Sequence, residues 1–586
     1  MMKILFINSI HDGKVTNQIG TLSLATILNS NGHNAEIADF NYLFKMGIVK
    51  KKHNKQEDIH SMGSYILSKA PDIVGFSCMC NSYHIFIELS KYIREKSPNI
   101  KILFGGPQAT LTAEETLKAF DWIDLIAMGE SEKSIVDIMN VFENNSGFED
   151  LTGVAYRQDN EIIIKKSTLI ENLDYVPKLD YSLLPYFDKI SLVEIDVGRG
   201  CPFECSYCST KTFWKRKFRI KAVDQIIEEI KELYYKHNKT KFNFVHDLFT
   251  VNKNIVLDFC NKVIGQRLKI RWGCSARIDT LDEELVKKMV EAGCIEIYIG
   301  IETGSPRMQK IVHKNLNLNH LDEKLKLFKK YNLEITFSFI YGFPEENDED
   351  LRQTMEVIQK IYSYGFKKVQ LHQCSILAGT EMYNNYKEDL VYQQIIPDTV
   401  DNNNIDEYKD IILRYPTVFP HFYNLSEEIA PNIYRYQYLD EFVCHKMKFF
   451  NLSMPQTYRL LRTYFNNELI KIYNDIKETC KDILVPINDE VQAKELEHGK
   501  QLAEYINKKD FGIYKDIIRQ MFKYELDYLE FKNNSVCDEE KLAQYDFNVL
   551  KIETRNLGFK EIDIGKTAVR FKNNNAKEII VEKIVV

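Results

Sequence analysis

The chain has 586 residues, 44% hydrophobic and 27% charged, with a net charge of −7. That is room for three or four soluble domains, and the negative balance excludes a nucleic-acid surface as the main feature. No apolar run reaches the ~20 residues of a membrane span, the opening Met1-Met2-Lys3-Ile4-Leu5-Phe6-Ile7 is too short for a signal peptide, and twelve scattered cysteines fit a reducing cytoplasm rather than a disulfide framework. A cytoplasmic protein with no membrane or nucleic-acid partner is expected.

Over residues 1–150, short apolar runs alternate with helical periodicity. Lys3–Ile7, Ala35–Ala38, Ile73–Ser77, Lys101–Phe104 and Leu125–Met128 read as strands. Leu22, Ala25, Ile27 and Leu28 mark the first helix, which Asn31-Gly32-His33 ends. The polar, basic stretch Lys45–Asp58 reads as a surface insertion. Strand–helix alternation predicts an α/β domain with a doubly wound, Rossmann-like parallel sheet, whose ligand lies beyond the carboxyl ends of the strands. Those ends carry Asn8-Ser9, Ser77-Cys78-Met79, Gly105-Gly106-Pro107 and Gly129-Glu130. In order and spacing, Ser77-Cys78-Met79 and Gly105-Gly106 resemble the small-residue loop and later Gly-Gly of cobalamin (B12)-binding domains. The resemblance implies a cobalamin seat on Asn8, Ser9, Ser77, Gly105, Gly106, Gly129 and Glu130. Many cobalamin mutases carry Asp-x-His-x-x-Gly with a cobalt-ligating histidine; here Asn8-Ser9-Ile10-His11-Asp12-Gly13 stands instead. The departure implies a cofactor with no protein imidazole on cobalt, and His11 reads as a surface residue. Cys78 and Cys80, alone on one loop, read as small packing residues rather than ligands of a second cluster.

Residues 151–190 read as a linker: a hairpin, Gly153–Arg157 against Ile162–Lys166, then a segment with Pro177 and Pro185. From 191 to about 400, strand and helix repeat six times, with strands near Leu192–Val197, Phe242–Val245, Ile270–Cys274, Ile295–Gly300, Ile335–Ile340 and Lys368–Leu371. Six repeats predict an open (βα)6 barrel of the TIM type, with its chemistry at the carboxyl ends of the strands. Directly after the first strand comes Cys201-Pro202-Phe203-Glu204-Cys205-Ser206-Tyr207-Cys208. Three thiols at this spacing on one loop point to one metal centre. They are one short of the four that saturate an iron–sulfur cluster, so a cubane held here keeps one iron open. Zinc is the alternative, though a structural zinc site takes four closed ligands. Later strand ends carry His246-Asp247, then Ser275, Arg277 and Asp279, then Gly300-Ile301-Glu302-Thr303-Gly304-Ser305, then Tyr341-Gly342-Phe343-Pro344. A guanidinium such as that of Arg277 suits bidentate pairing with a carboxylate.

At the cysteine loop the chain resembles the radical S-adenosylmethionine (SAM) enzymes, and with its first domain the cobalamin-binding members of that family, over residues 1 to about 380. The resemblance implies that Cys201, Cys205 and Cys208 hold a [4Fe-4S] cluster whose open iron is chelated by the amino and carboxylate groups of SAM. Tyr207 would lie near the adenine. Asp247 would hold the SAM amino group where relatives often carry an acidic pair, His246 replacing the first acid. Arg277 and Glu302 would line the same pocket, and the Tyr341–Pro344 backbone the adenine site. One electron from the cluster would cleave SAM to methionine and a 5′-deoxyadenosyl radical.

Asp401-Asn402-Asn403-Asn404 marks a boundary, and 401–586 is expected to be mostly helical to about residue 535. Val549–Glu553, Glu561–Ile564, Val569–Phe571 and Ile579–Val585 then suggest a small terminal sheet. The expected function is methylation of an unactivated carbon, or of phosphorus, with two SAM used per turnover. Its partners would be a small-molecule or peptide substrate and a reductant such as flavodoxin or ferredoxin. Radical oxidation, cyclisation or rearrangement without methyl transfer is the alternative, and a non-catalytic SAM or cobalamin sensor is the alternative of another class.

Overall fold

The structure, a computed structural model, describes residues 2–10, 15–52, 54–393, 405–484, 495–534, 540–547, 564–573 and 579–584. His11, the 401–404 boundary, the 549–553 strand and most of the 561–564 strand lie outside the described residues.

The first sheet contains β1 (Lys3–Ile7), β2 (Asn34–Ala38), β3 (Ile73–Ser77), β4 (Lys101–Gly105) and β5 (Leu125–Ala127), all parallel, in the order β2-β1-β3-β4-β5. Ile4, Leu5, Phe6 and Ile7 are all buried because helices cover both faces, which is why these strands read as apolar runs without alternation. The 151–190 hairpin is not a free linker element. Its strands β6 (Val154–Gln158) and β7 (Glu161–Lys165) extend the sheet antiparallel, with Leu125 opposite Tyr156. Lys45–Asp58 is only partly a surface insertion. Helix Lys55–Ser68 begins inside it, capped where Asn54 accepts the Glu57 N–H and anchored by buried Ile59, Met62 and Ile66. Only its first turn, Lys55-Gln56-Glu57-Asp58, falls in that stretch, and the apolar residues that anchor it all lie beyond Asp58.

The second sheet holds β8 (Val193–Asp196), β11 (Lys241–Val245), β12 (Arg271–Ala276), β13 (Cys294–Glu302), β14 (Glu334–Tyr341) and β15 (Lys368–Gln373) as six parallel strands in chain order. A short ribbon, β9 (Gly198–Arg199) and β10 (Arg219–Ile220), brackets the cysteine loop. Period-two alternation sorts the faces. Val193, Ile195, Phe242, Phe244, Trp272, Ile297, Phe337 and Leu371 are buried in one core with the helices. Trp272 stacks on Phe244 at 4.8 Å and donates its indole N–H to Ala292 O at 2.9 Å, so its one polar atom is satisfied inside the core. The opposite face presents Glu194, Asn243, Ser275, Tyr298 and Gln370, polar and at least partly exposed.

The C-terminal region grips both sheets. Ile405, Tyr408, Ile412, Phe419 and Phe422 share a core with Phe86, Phe104 and Phe120 of the first domain, and Gln108 donates to Val418 O at 3.1 Å. Further on, Leu439, Phe442, Val443 and Met447 join the barrel's core, and Tyr362 donates its hydroxyl to Val443 O at 2.9 Å. The short pair β16 (Leu390–Val391) and β17 (Asn424–Leu425) flanks the 405–422 segment. The terminal sheet is β18 (Glu540–Phe547), β19 (Ile564–Asn573) and β20 (Ile579–Ile584), antiparallel in that order. The expected strands at Val569 and Ile579 fall in β19 and β20, whereas β18, with its charged sequence, was not expected. No described helix is long and apolar enough to cross a membrane.

Candidate functional site

The carboxyl ends of β3, β4 and β5 of the first sheet and of β8 and β11 of the barrel face one cleft of about 1010 Å³. That is the upper end of the ~300–1,000 Å³ range of ligand pockets, so it suits a large ligand or two adjoining ones. The first domain lines it with Ser77, Met79, Gly105, Gly106, Gly129 and Glu130, and the barrel with Glu194, Asp196, Gly198, Arg199, His246 and Asp247. Phe213 and Trp214, from the turn after the cysteines, complete the barrel's side.

On the first domain's side the lining mixes glycines with apolar side chains such as Phe6, Leu24, Phe76 and Leu103. Gly106 sits at φ +90, and a Cβ there would lie 2.9 Å from both the N and O of Cys78, so only glycine lets the two loops meet. Asn8 and Ser9 are buried and do not line the cleft. Asn8 donates to Asp39 Oδ2 at 3.2 Å and accepts from Thr21 Oγ1 at 2.5 Å, and the Ser9 N–H donates to Gln18 Oε1 at 2.9 Å. They brace the loop whose residues Thr16 and Gln18 do reach the cleft. Both Glu130 oxygens are already used. Oε1 accepts from Arg199 Nη1 at 2.8 Å, and Oε2 accepts from Arg219 Nη1 and the Ile170 N–H, each at 2.7 Å. Any ligand contact at Glu130 is therefore left to its backbone.

On the barrel's side, charged side chains dominate. Asp247 accepts the Gly200 N–H at 2.8 Å and the Thr210 hydroxyl at 3.3 Å, so one carboxylate spans both ends of the Cys201–Cys208 loop. Protein packed around this carboxyl raises its pKa, although its surface opens to the cleft. His246 is buried, which lowers its pKa to about 4. Its Nδ1 accepts the Leu248 N–H at 2.9 Å, so the neutral ring carries its proton on Nε2. Among the described residues it is the one imidazole on the cleft.

Cys201, Cys205 and Cys208 lie on one loop together with Tyr207. Burial pushes the Cys201 thiol up to about 11, and the neighbouring Cys208, Cys205 and Asp247 push the same way; burial also raises Cys208. Metal binding here must therefore release protons. Among the described residues no three His, Cys, Asp or Glu side chains are arranged around a single ion. A closed structural zinc site takes four ligands and this loop offers three, so the donor set fits a cluster that keeps one iron open.

The remaining expected residues form a layer beside this loop. Arg277 is buried, 3.9 Å from the Phe203 ring, and its fork already pairs with Asp279 at 3.0 and 2.8 Å, while Nη1 donates to Lys314 O at 3.0 Å. It braces the cysteine loop and has no free fork for a ligand carboxylate. Glu302 sits at a β-bulge with φ +68, a left-handed backbone of the kind that stores ~1–3 kcal/mol at functional sites. Its carboxylate accepts from Lys314 Nζ at 3.0 Å. Lys314, which has no recognisable sequence signal, keeps a raised pKa because Glu302 and Cys205 outweigh its burial. The Tyr207 ring lies 5.6 Å from that of Phe343 in Tyr341–Pro344. None of Tyr207, Arg277 or Glu302 lines the cleft itself.

A doubly wound domain and an open six-stranded barrel sharing one cleft, with three cysteines beside it, define a two-ligand α/β protein. The B12 binding domain family matches residues 10–139, and the Radical SAM superfamily matches residues 195–358. The chain belongs to the radical SAM proteins that carry a B12-binding domain. It is 30% identical over 297 residues to an uncharacterized methyltransferase of Pyrococcus horikoshii, covering 50% of this chain and 64% of that one. It is 27% identical over 298 residues to the anaerobic magnesium-protoporphyrin IX monomethyl ester cyclase of Cereibacter sphaeroides, covering 48% of each. The chain thus spans less than two thirds of these relatives. Among solved structures, the cobalamin-dependent SAM radical enzyme OxsB aligns with TM-score 0.55 at 14% identity, over 90% of this chain and 80% of that one. The radical SAM methyltransferase TsrM from Kitasatospora setae aligns with TM-score 0.56 at 14% identity, over 66% and 75%. These likenesses support the fold.

Proposed function

We propose that the protein is a cobalamin-dependent radical SAM enzyme that methylates an unactivated carbon. One observation carries the reading: Gly105, Gly106 and Gly129 line one wall of the cleft and Asp247 the other. When bound, the cluster and SAM supply a radical able to take hydrogen from unactivated carbon, and cobalamin supplies a methyl group by homolysis of a weak bond.

The chain's own residues have the following roles in this reading. Cys201, Cys205 and Cys208 hold the cluster, and Asp247 stands between it and the cleft, able to take an ammonium while still holding the Gly200 N–H. Tyr207 and Phe343 wall the adenine side, and the Glu302–Lys314 pair places fixed charge beside Cys205. Arg277 acts through Phe203 by holding the loop's shape. Ser77, Gly105, Gly106 and Gly129 hold the corrinoid by backbone and shape, and Asn8 and Ser9 support the neighbouring loop. The C-terminal region keeps both sheets together around the cleft. The substrate is a small molecule or peptide, and a flavodoxin- or ferredoxin-like protein donates the electrons.

The named relatives agree in part: one is a methyltransferase, and a cytidylyl-2-hydroxyethylphosphonate methyltransferase of Streptomyces wedmorensis is 23% identical over 358 residues. The cyclase match favours a second reading, radical cyclisation without methyl transfer. The deciding experiment supplies cobalamin during expression, reconstitutes the protein anaerobically and adds methyl-deuterated SAM with reductant and candidate substrates. Deuterated product with both S-adenosylhomocysteine and 5′-deoxyadenosine is the expected result. Deoxyadenosine with an unlabelled, altered product establishes the second reading. No deoxyadenosine at all makes the protein a sensor.

A further inference from the structure

Resting on that reading, we infer that Arg199 is a positioning residue that sets the register between the two seats. Three carboxylates meet its guanidinium. Glu130 at 2.8 Å and Glu132 at 2.6 Å come from the loop after β5, and Asp196 at 2.9 Å comes from the end of β8. Arg219, its partner across the β9–β10 ribbon, bonds Glu130 Oε2 and Ile170 O at 2.7 and 2.6 Å. Lys221 lies 3.5 Å from Asp196. Three anions thus face three cations, and every one of these side chains is at most 11% exposed.

Such a network is a poor source of stability, because desolvation offsets most of its attraction and apolar residues would hold the domains as well. It does supply one specified arrangement, since a planar fork accepts few geometries and an apolar seam tolerates sliding. Its place in the chain shows what is being arranged. Arg199 is separated from Cys201 only by Gly200, which sits at φ +88 and whose N–H Asp247 holds. Glu130 directly follows Gly129 of the opposite seat. A displacement of the first domain is therefore passed to the cysteine loop through two residues on each side. Other links hold the domains together without this latch: Asn17 exchanges two 2.8 Å bonds with the Glu194 backbone, and Tyr186 donates to Asp39 at 3.1 Å. Loss of the latch should shift register rather than separate the domains.

The test uses the full chain with Arg199→Lys, which keeps the charge and loses the fork, and Glu132→Gln, which removes one of three carboxylates. Both variants should take up iron and corrinoid within twofold of the parent. Pulsed EPR between cob(II)alamin and the reduced cluster should show a broadened or shifted distance in Arg199→Lys and a smaller change in Glu132→Gln. Labelled product per deoxyadenosine should fall on the order of tenfold or more in Arg199→Lys, as misalignment of reactants predicts. An unchanged distance and product ratio with only a lower Tm would overturn the proposal. If the parent binds no corrinoid, the functional reading fails, and the latch is decided separately by hydrogen exchange of the cofactor-free protein. Faster exchange in both the 129–132 and 198–201 peptides supports it, and a rise on one side alone refutes it.

Discussion

The two walls of the cleft solve the same problem with different chemistry. Both present the carboxyl ends of parallel strands. The first domain lines the cleft with glycine, serine and apolar residues, and its Glu130 and Glu132 are both taken up by Arg199. The barrel lines it with Glu194, Asp196, Arg199 and Asp247, beside a thiol loop braced by Asp247 and Arg277. In the proposed reading a bulky corrinoid is selected by space on the first wall, and a cluster and a zwitterion by charge on the second. Substitutions on the first wall should therefore act through volume and on the second through charge, and the two should be separable.

The strongest test of that separation replaces Cys201, Cys205 and Cys208 together with alanine. Iron content and SAM cleavage should vanish while corrinoid still co-purifies; simultaneous loss of corrinoid would show that the walls do not act independently. Next in size, Lys314→Met leaves Glu302 as a buried unpaired charge, which should cost ~3–5 kcal/mol in denaturant unfolding. The double variant with Glu302→Gln should cost clearly less than the sum of the two single changes. Gly106→Ala acts on the opposite wall by volume alone: the added Cβ and the positive φ should cost ~1–3 kcal/mol and reduce corrinoid uptake, with iron unchanged.

A smaller effect follows from buried imidazoles. Burial lowers His84 and His421 to about 3 and His246 to about 4. Each stays neutral in the fold and takes a proton once unfolded below its ordinary value near 6.5. Stability from these groups is therefore present above pH 6.5 and is lost as pH falls towards the folded values. Lowering the pH from 7 to 6 should cost roughly 0.5–1 kcal/mol per histidine, and His421→Phe should remove one share of that slope. The smallest expected effect is a null one. The EPR spectrum of the cob(II)alamin form should show no nitrogen splitting from a protein imidazole, and its appearance would place a histidine on the first wall and weaken the contrast.

Much of this architecture was legible in the chain. Apolar runs mark the strands of the first sheet because both its faces are covered, and six strand–helix repeats mark the barrel. The cysteine spacing marked its own loop, since three thiols so close together are a local demand that few other sequences meet. What stayed hidden depends on distant neighbours. Arg277 reads as a free fork until Asp279 and Phe203 are seen around it, and Glu130 reads as a ligand contact until Arg199 and Arg219 arrive from the barrel. The hairpin at 154–165 reads as a linker because an antiparallel edge strand looks the same whether or not a sheet lies beside it. Residue type and spacing by themselves determined which reactive side chains the chain carries and on which strand ends they sit. Only the tertiary structure decided which charges are already paired and that the ends of β3, β4 and β5 share one cleft with those of β8 and β11, because pairing and shared volume are set by contacts between segments far apart in sequence.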